Sequence, residues 1–337
     1  MTDAAPSARA SPHDGAAAAI EASGALLKRL EWTVMRRLDG LLQGDHRTLM
    51  RGAGLDLADL REYQHHDDVR HIDWNVTARL QQPYVRQFTE DRELSAWFLV
   101  DLSASVDFGS NRRTKRMVAR EFVAVLARLL TRHGNRIGAL LYGTSVDTML
   151  PARGGRRHVL ELLQRMAERP PEAAAGATDL RDLLLAAQRT VKRRSTIFVI
   201  SDFISAPGWE KALGTLSLRH EVTAVRLFDA LEMNLPDIGL ITMKDAETGE
   251  QIVVDTHHGG FRKRFAAAAG RRETTLRESL GRAGVDTLEL GTDDDLVEAV
   301  LRFTDLRKQR SRLANWSGAG RRSVDHVRPT AAAWTSP

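Results

Sequence analysis

The sequence predicts an α/β protein: a Rossmann-like, mostly parallel sheet with helices on both faces, preceded by a smaller N-terminal α+β segment. From Trp97 onward, short apolar runs alternate with stretches of helical spacing, which is typical of parallel sheets that are buried on both faces. The chain has 337 residues and no cysteine. This length is enough for a sizeable core, and the absence of cysteine excludes disulfides and thiolate zinc sites.

The first 94 residues show a weaker pattern. Residues 1–24 are rich in Ala, Ser and Pro and lack the basic start and apolar core of a secretory signal, so we expect them to be disordered. Residues 25–49 have apolar positions at helical spacing, and Tyr84, Arg86 and Phe88 alternate as in a half-buried strand. We therefore assign 25–94 to a separate N-terminal segment.

The α/β pattern starts with a strand, a helix and a strand pair. Residues 96–100 form an unbroken apolar run, which predicts a buried strand. The helix expected over 114–131 has its apolar residues three or four positions apart. Strands are predicted at 136–142 and 146–150, because a Gly-Thr-Ser turn signal separates two apolar stretches.

The middle of the chain continues the alternation. A helix over 158–168 ends before a Pro-Pro pair, which cannot continue it. A second helix begins near Leu180, with a strand at 195–200 after it. The helix near 209–218 precedes a strand at 222–227.

The C-terminal part carries the last elements. A short strand is predicted at 251–255, followed by a basic helix over 261–282. A strand at 287–290 and a helix from Asp293 complete the domain, to which we assign residues 95–310. Residues 311–337 are predicted to form a basic, disordered tail.

Three oxygen-bearing side chains follow the first strand of this domain. Asp101, Ser103 and Ser105 are spaced two residues apart, at the carboxyl end of a strand, where open α/β sheets bind ligands. One carboxylate and two hydroxyls form a hard-oxygen set suited to Mg²⁺ or Mn²⁺. Thr178, on a Gly/Ala-rich loop, and Asp202, after a later strand, are candidates to complete the site. The alternative interpretation is turn and helix-cap chemistry.

The ordered set resembles a known metal site. Asp-x-Ser-x-Ser, then Thr, then Asp is similar to the metal-ion-dependent adhesion site of von Willebrand factor A domains, and all five positions are filled here. The resemblance implies a von Willebrand factor A-like fold. It also implies that one Mg²⁺ or Mn²⁺ is bound by five residues: Asp101, Ser103, Ser105, Thr178 and Asp202.

A second resemblance lies just before the first strand. The stretch Asp67-Asp-Val-Arg70-His-Ile-Asp73-Trp74, followed by Arg79, is similar to the signature block of the family catalogued as domain of unknown function 58. The resemblance runs from about Leu26 to Arg310, with His65-His66 in place of the family's usual Pro-Gly. Charges alternate with aromatic bulk, so we expect a structural, buried, ion-paired block formed by four residues: Arg70, Asp73, Trp74 and Arg79.

The distribution of charge argues against a specific nucleic-acid partner. The whole chain has a net charge of +5, whereas residues 307–337 alone carry seven Lys or Arg and one Asp, a net of +6. Residues 1–306 therefore sum to −1, and the basic excess is confined to the tail. No apolar run approaches eighteen residues, so we expect no transmembrane helix, no membrane partner and a cytoplasmic location.

Enzymatic alternatives lack essential groups. Phosphatases of the haloacid dehalogenase type need an acid/base carboxylate two residues after the first, where this chain has Ser103. Two-metal hydrolysis needs several bridging carboxylates. The stretch Gly109–Lys115 lacks the glycine before the lysine of a phosphate loop, so we interpret it as a helix-capping turn and expect no ATP hydrolysis. We therefore predict that the protein is not an enzyme, and a metal-dependent phosphoesterase is the alternative.

A metal held through hydroxyls with an open coordination position suits recognition better than turnover. The resemblance to A domains implies that a carboxylate of a protein client fills the open position. The family resemblance implies work with a MoxR-type AAA+ ATPase, in chaperone-like assembly or maturation of protein complexes. The sequence therefore predicts a metal-dependent interaction module.

Overall fold

The computed structural model describes residues 12–31, 34, 59–64, 69, 72, 74–87, 95–110, 113–168, 178–244 and 250–305. A six-stranded sheet with helices on both faces forms its main body. The α/β fold class and the mostly parallel sheet predicted from the sequence are confirmed. The predicted tail, residues 311–337, lies outside the described residues.

The main sheet has the spatial order β10-β7-β6-β3-β4-β5. Neighbouring strands are parallel except β4 and β5, which are antiparallel. The six strands are β3 (Ser95–Asp101), β4 (Arg136–Tyr142), β5 (Val146–Arg153), β6 (Thr196–Ser201), β7 (Glu221–Phe228) and β10 (Asp286–Gly291). Four smaller strands form two separate antiparallel pairs: β1 (Asp59–Glu62) with β2 (Tyr84–Gln87), and β8 (Leu240–Lys244) with β9 (Gln251–Asp255).

Helices cover both faces of the main sheet. One face carries α1 (Pro12–Leu30), α3 (Lys115–Arg132), α4 (Arg156–Glu168) and a last helix, α9, over 296–305. The other face carries α5 (Leu180–Thr190), α6 (Trp209–Ser217) and α8 (Gly259–Arg282). The remaining helices are α2 (Trp74–Leu80), a single turn α7 (Ala230–Met233) and a 3₁₀ helix (Ala104–Asp107).

The central strands divide their side chains between two apolar cores. Phe98 of β3 and Phe198 of β6 are paired in register and stack with ring centroids 5.6 Å apart in the first core. The alternate residues Trp97 and Leu99 point into the second core, as the two-residue period of a strand requires. Because both faces are buried, these strands appear in sequence as unbroken apolar runs.

The first helix differs from the prediction. It begins at Pro12, so the expected boundary at residue 24 falls inside this helix. Leu27 and Leu30 are buried in the first core, and Glu31 accepts a hydrogen bond from Arg128 at 2.6 Å. Burying a leucine contributes roughly 1.5–3 kcal/mol. The first half of this helix contains few large apolar residues, so the helix is stabilised mainly by the tertiary packing of its C-terminal turns.

Two of the four residues of the predicted buried block, Trp74 and Arg79, are exposed. Trp74 is 69 % exposed, and Arg79, near the end of the same short helix, is also exposed. Arg70 and Asp73 lie outside the described residues. Within the described part of this segment, one helix of seven residues and a two-stranded sheet offer too little surface to enclose a tryptophan. The prediction that the Trp74 side chain is buried is therefore wrong.

Candidate metal centre

Asp101 is the last residue of β3 and is fully buried at the carboxyl edge of the sheet. Its Oδ1 accepts a hydrogen bond from the Ser103 backbone N–H at 3.0 Å. Its Oδ2 accepts from the Ser201 hydroxyl at 2.7 Å, and Ser201 ends the neighbouring strand β6. The carboxylate is therefore held from two sides, by its own loop and by the adjacent strand.

The two serines after Asp101 present their hydroxyls side by side. Ser103 precedes the 3₁₀ helix and Ser105 lies inside it; both are buried. Their Oγ atoms are 3.2 Å apart. Adjacent oxygens around an octahedral ion with metal–oxygen bonds of about 2.1 Å are about 3 Å apart. The spacing of the hydroxyls fits two neighbouring positions around Mg²⁺.

Asp202 directly follows β6 and forms an ion pair with a buried lysine. Its Oδ1 accepts from the Ile204 backbone N–H at 3.0 Å, and its Oδ2 accepts from Lys115 Nζ at 2.7 Å. Lys115 Nζ also donates to Glu232 Oε1 at 2.6 Å. Burial lowers the pKa of Lys115, but Asp202 and Glu232 outweigh that effect and hold the pKa above its ordinary value. Asp202 therefore faces a permanent cation.

Thr178 is buried at the same edge, on the loop before α5. Its carbonyl accepts hydrogen bonds from Ala206 N–H at 2.9 Å and from the Ser205 hydroxyl at 3.0 Å. The next backbone N–H, of Asp179, donates to the Tyr142 hydroxyl at 2.9 Å. The threonine loop is thus joined to the loop that carries Asp202 and to β4, the strand beside Asp101.

The electrostatics of the site leave room for a cation. Burial, together with the negative charge of Asp202, raises the pKa of Asp101 to about 6. The carboxylates of Asp101, Asp202 and Glu232 are opposed by the single ammonium of Lys115. A divalent ion beside the hydroxyls would neutralise the remaining charge, so the donor set fits Mg²⁺ or Mn²⁺.

The site differs from metal centres built on carboxylates or histidines. Within the described part of the chain, no group of three or more His, Cys, Asp or Glu side chains could hold a metal ion. Two of the expected ligands at this edge are carboxylates, and the other three are hydroxyls. Any metal here would depend on Ser103, Ser105 and Thr178, a set that leaves the ion more electrophilic than a carboxylate cage does.

Sequence reasoning missed three groups that shape this edge. Lys115, Tyr142 and Glu232 were not predicted to belong to the site. Lys115 did leave a signal: it is the first residue of α3, where the helix dipole disfavours a cation, so a compensating anion was to be expected nearby. Tyr142 and Glu232 reach the site only through tertiary packing.

The stretch that faintly resembles a phosphate loop is a capping turn, as predicted. The Thr114 side chain accepts from the Met117 backbone N–H at 3.3 Å and begins α3. A Cβ at Gly109 would lie 2.1 Å from the Arg113 carbonyl oxygen. Glycine is therefore required by close backbone packing and not by a bound phosphate.

Comparisons with known proteins identify relatives across most of the chain. The family model described as "Protein of unknown function DUF58" matches residues 59–275. An uncharacterized protein of Mycobacterium bovis is 38 % identical over 287 residues, covering 85 % of this chain and 90 % of the relative. An uncharacterized protein of Mycobacterium avium is 33 % identical over 164 residues, covering 48 % of this chain and 95 % of the relative.

Solved structures give more distant similarities. The conserved hypothetical protein BatB from Bacteroides thetaiotaomicron matches 64 % of this chain and 99 % of its own at 14 % identity, with a TM-score of 0.42. An aerotolerance-related membrane protein from Bacteroides fragilis matches 64 % of this chain and 99 % of its own at 14 % identity, with a TM-score of 0.41. An uncharacterized membrane spanning protein from Vibrio fischeri covers 64 % of this chain and 98 % of its own at 16 % identity, with a TM-score of 0.24.

The predicted location needs a correction. Two of these structural neighbours are described as membrane proteins, and we withdraw the prediction of a plainly cytoplasmic location. None of the helices in the described ranges combines the length and the apolar character that a membrane span requires.

Proposed function

This chain belongs to the DUF58 family, and from that premise we propose that it is a metal-dependent protein-interaction module. Its main sheet would act as a von Willebrand factor A-like domain whose adhesion site holds Mg²⁺ or Mn²⁺. The module would work with a MoxR-type AAA+ ATPase in the assembly or maturation of protein complexes.

The observation that carries the proposal is the convergence of oxygens after β3. Asp101 is fixed by Ser103 and Ser201, and the Ser103 and Ser105 hydroxyls are 3.2 Å apart. Asp101, Ser103 and Ser105 would contact the ion directly. Asp202 has one oxygen on Lys115 and the other on the Ile204 N–H, so it would contribute mainly charge and a hydrogen bond to a metal-bound water.

The chemistry of this set favours binding over hydrolysis. When bound, the metal would supply an electrophilic centre that accepts one more oxygen ligand, such as a carboxylate of a protein client. Hydrolysis would need a base to activate water. Asp202 is neutralised by Lys115, and the position two residues after Asp101 is a serine. Neither side chain is a suitable base.

A pull-down with a defined partner tests the proposal. The purified chain is immobilised and offered a MoxR-type AAA+ ATPase from the same organism, in Mg²⁺ and in EDTA. Capture in Mg²⁺ that EDTA abolishes is expected, and Asp101→Ala or Thr178→Ala should weaken it at least tenfold. Glu278→Ala is the control, because Glu278 is an exposed carboxylate near the C-terminal end of α8, which leads back to the opposite edge of the sheet.

The same preparations also test the enzymatic alternative, a metal-dependent phosphoesterase. We expect no Mg²⁺-dependent hydrolysis of p-nitrophenyl phosphate or ATP by the wild-type chain. Robust phosphoesterase turnover that Asp101→Asn abolishes would overturn the binding proposal in favour of a metal-dependent phosphoesterase.

A further inference from the structure

A cleft of about 630 Å³ opens directly beside the candidate metal centre. Asp202 lies in its wall, together with the loop that leads from β6 to α6. The first turn of α6, the end of β7, the single turn α7 and the middle of α8 form the rest of the lining. A cleft of this volume is in the range of ligand-binding pockets, roughly 300–1,000 Å³.

The cleft contains two arginines whose charge is not neutralised. Four carboxylates line the cleft: Glu273 pairs with Arg226 at 3.1 Å, Asp202 and Glu232 share Lys115, and Glu210 accepts from the Gly208 N–H at 3.0 Å. Arg271 and Arg272, on α8, are exposed and form no ion pair with any described residue. An anion entering the cleft would therefore meet two available guanidinium groups, which bind carboxylates in bidentate geometry.

The cleft also offers apolar contact surface. Ile204, two residues after Asp202, is 40 % exposed. Met233 of α7 and Leu276 of α8 are half-buried and line the same space. Guanidinium groups beside exposed apolar side chains suit a peptide that carries both acidic and apolar residues.

We propose that this cleft binds an extended acidic segment of the partner protein. One carboxylate of the segment would enter the metal centre past Asp202, and further carboxylates would pair with Arg271 and Arg272. An apolar side chain of the segment would rest on Ile204 and Leu276. The proposal rests on the proposed function, and it names the surface that would select the partner.

Fluorescence anisotropy with a labelled ten-residue peptide of alternating Glu and Leu tests the cleft. The Arg271→Glu/Arg272→Glu double variant should bind this peptide at least tenfold more weakly than wild type in Mg²⁺, with unchanged Mg²⁺ affinity. The matched control is Lys263→Glu/Arg264→Glu, which makes the same charge change at exposed positions of α8 outside the cleft. It should lose less than threefold.

The outcomes separate the cleft from the metal centre. Equal losses in the two double variants, or no binding of the peptide to wild type in Mg²⁺, would overturn the cleft proposal. Binding that needs Arg271 and Arg272 but is indifferent to EDTA and to Asp101→Ala would support the cleft and overturn the proposed function. Equal, Arg271-dependent binding of a single-stranded oligonucleotide of the same charge would overturn the assignment to an acidic peptide.

Discussion

Lys115 and Asp202 form a buried ion pair at the carboxyl edge of the main sheet: Nζ lies 2.7 Å from Oδ2, and the side chains are 0 % and 1 % exposed. The same ammonium holds Glu232. The lysine thus serves as an internal counterion for the carboxylate that we place in the metal centre, and it links that carboxylate to α7.

Replacing this lysine should destabilise the protein in a way that metal relieves. Lys115→Met leaves two carboxylates without their cation, and breaking a buried pair typically costs about 3–5 kcal/mol. Urea unfolding in EDTA should show a loss of this size, and saturating Mg²⁺ should restore more stability to the variant than it adds to wild type. Arg132→Met, at the far end of the same helix, controls for loss of charge. A variant as stable as wild type would contradict the role of Lys115.

The pH dependence of stability should report on Asp101. Its pKa is about 6 in the folded state, against 3.8 for an unperturbed aspartate, so between these values the folded chain binds more protons than the unfolded one. The contribution of Asp101 to the free energy of unfolding therefore falls as pH rises from about 4 to about 6, by at most about 3 kcal/mol. Asp101→Asn should remove this slope in EDTA. Parallel pH profiles for the variant and wild type would show that the carboxyl is not perturbed.

Tyr142 should position the threonine loop. Its hydroxyl accepts from the Asp179 N–H at 2.9 Å, so Tyr142→Phe leaves that N–H unpaired at a cost of about 1–3 kcal/mol. We also expect a several-fold loss of Mg²⁺ affinity, measured by calorimetry. If Tyr142 acts through Thr178, the double variant Tyr142→Phe/Thr178→Val should bind Mg²⁺ no more weakly than Thr178→Val alone. Additive losses would assign Tyr142 a separate role.

Truncating two tryptophans should destabilise the protein to very different degrees. Trp74 is 69 % exposed and Trp97 is 7 % exposed. Trp74→Ala should change the free energy of unfolding by less than about 0.5 kcal/mol, as is usual for surface positions. Trp97→Ala should cost about 3–5 kcal/mol, because it empties part of the second core. Comparable losses in thermal melts would restore the idea of a buried signature block.

The sequence was a good guide to the main sheet because its central strands are buried on both faces. The strand predicted at 195–200 and the helix predicted over 114–131 leave strong signals in the sequence, and both are confirmed within a residue or two. The strand Leu240–Lys244 was missed. Leu240 is 74 % exposed, so no burial pattern marks this strand, although its partner at 251–255 was predicted.

The site residues also divide into those that the sequence predicts and those that it does not. Asp101 and Asp202 could be placed from sequence because each follows a recognisable strand, and parallel strand ends meet at one edge. The lysine that neutralises Asp202 is 87 positions away in the chain, and no local pattern connects them. Trp74 was misplaced for a related reason: alternating charge and aromatic bulk does not tell whether a large element is present to cover the ring.

Calorimetric titration of the metal-free protein with Mg²⁺ tests the central claim most directly. The proposed function predicts one Mg²⁺ per chain for wild type, no measurable binding for Asp101→Ala, and at least tenfold weaker binding for Ser103→Ala. Glu278→Ala, which removes an exposed carboxylate near the C-terminal end of α8, should titrate like wild type. Equal Mg²⁺ affinity in wild type, Asp101→Ala and Ser103→Ala would contradict the assignment of this edge as a metal centre.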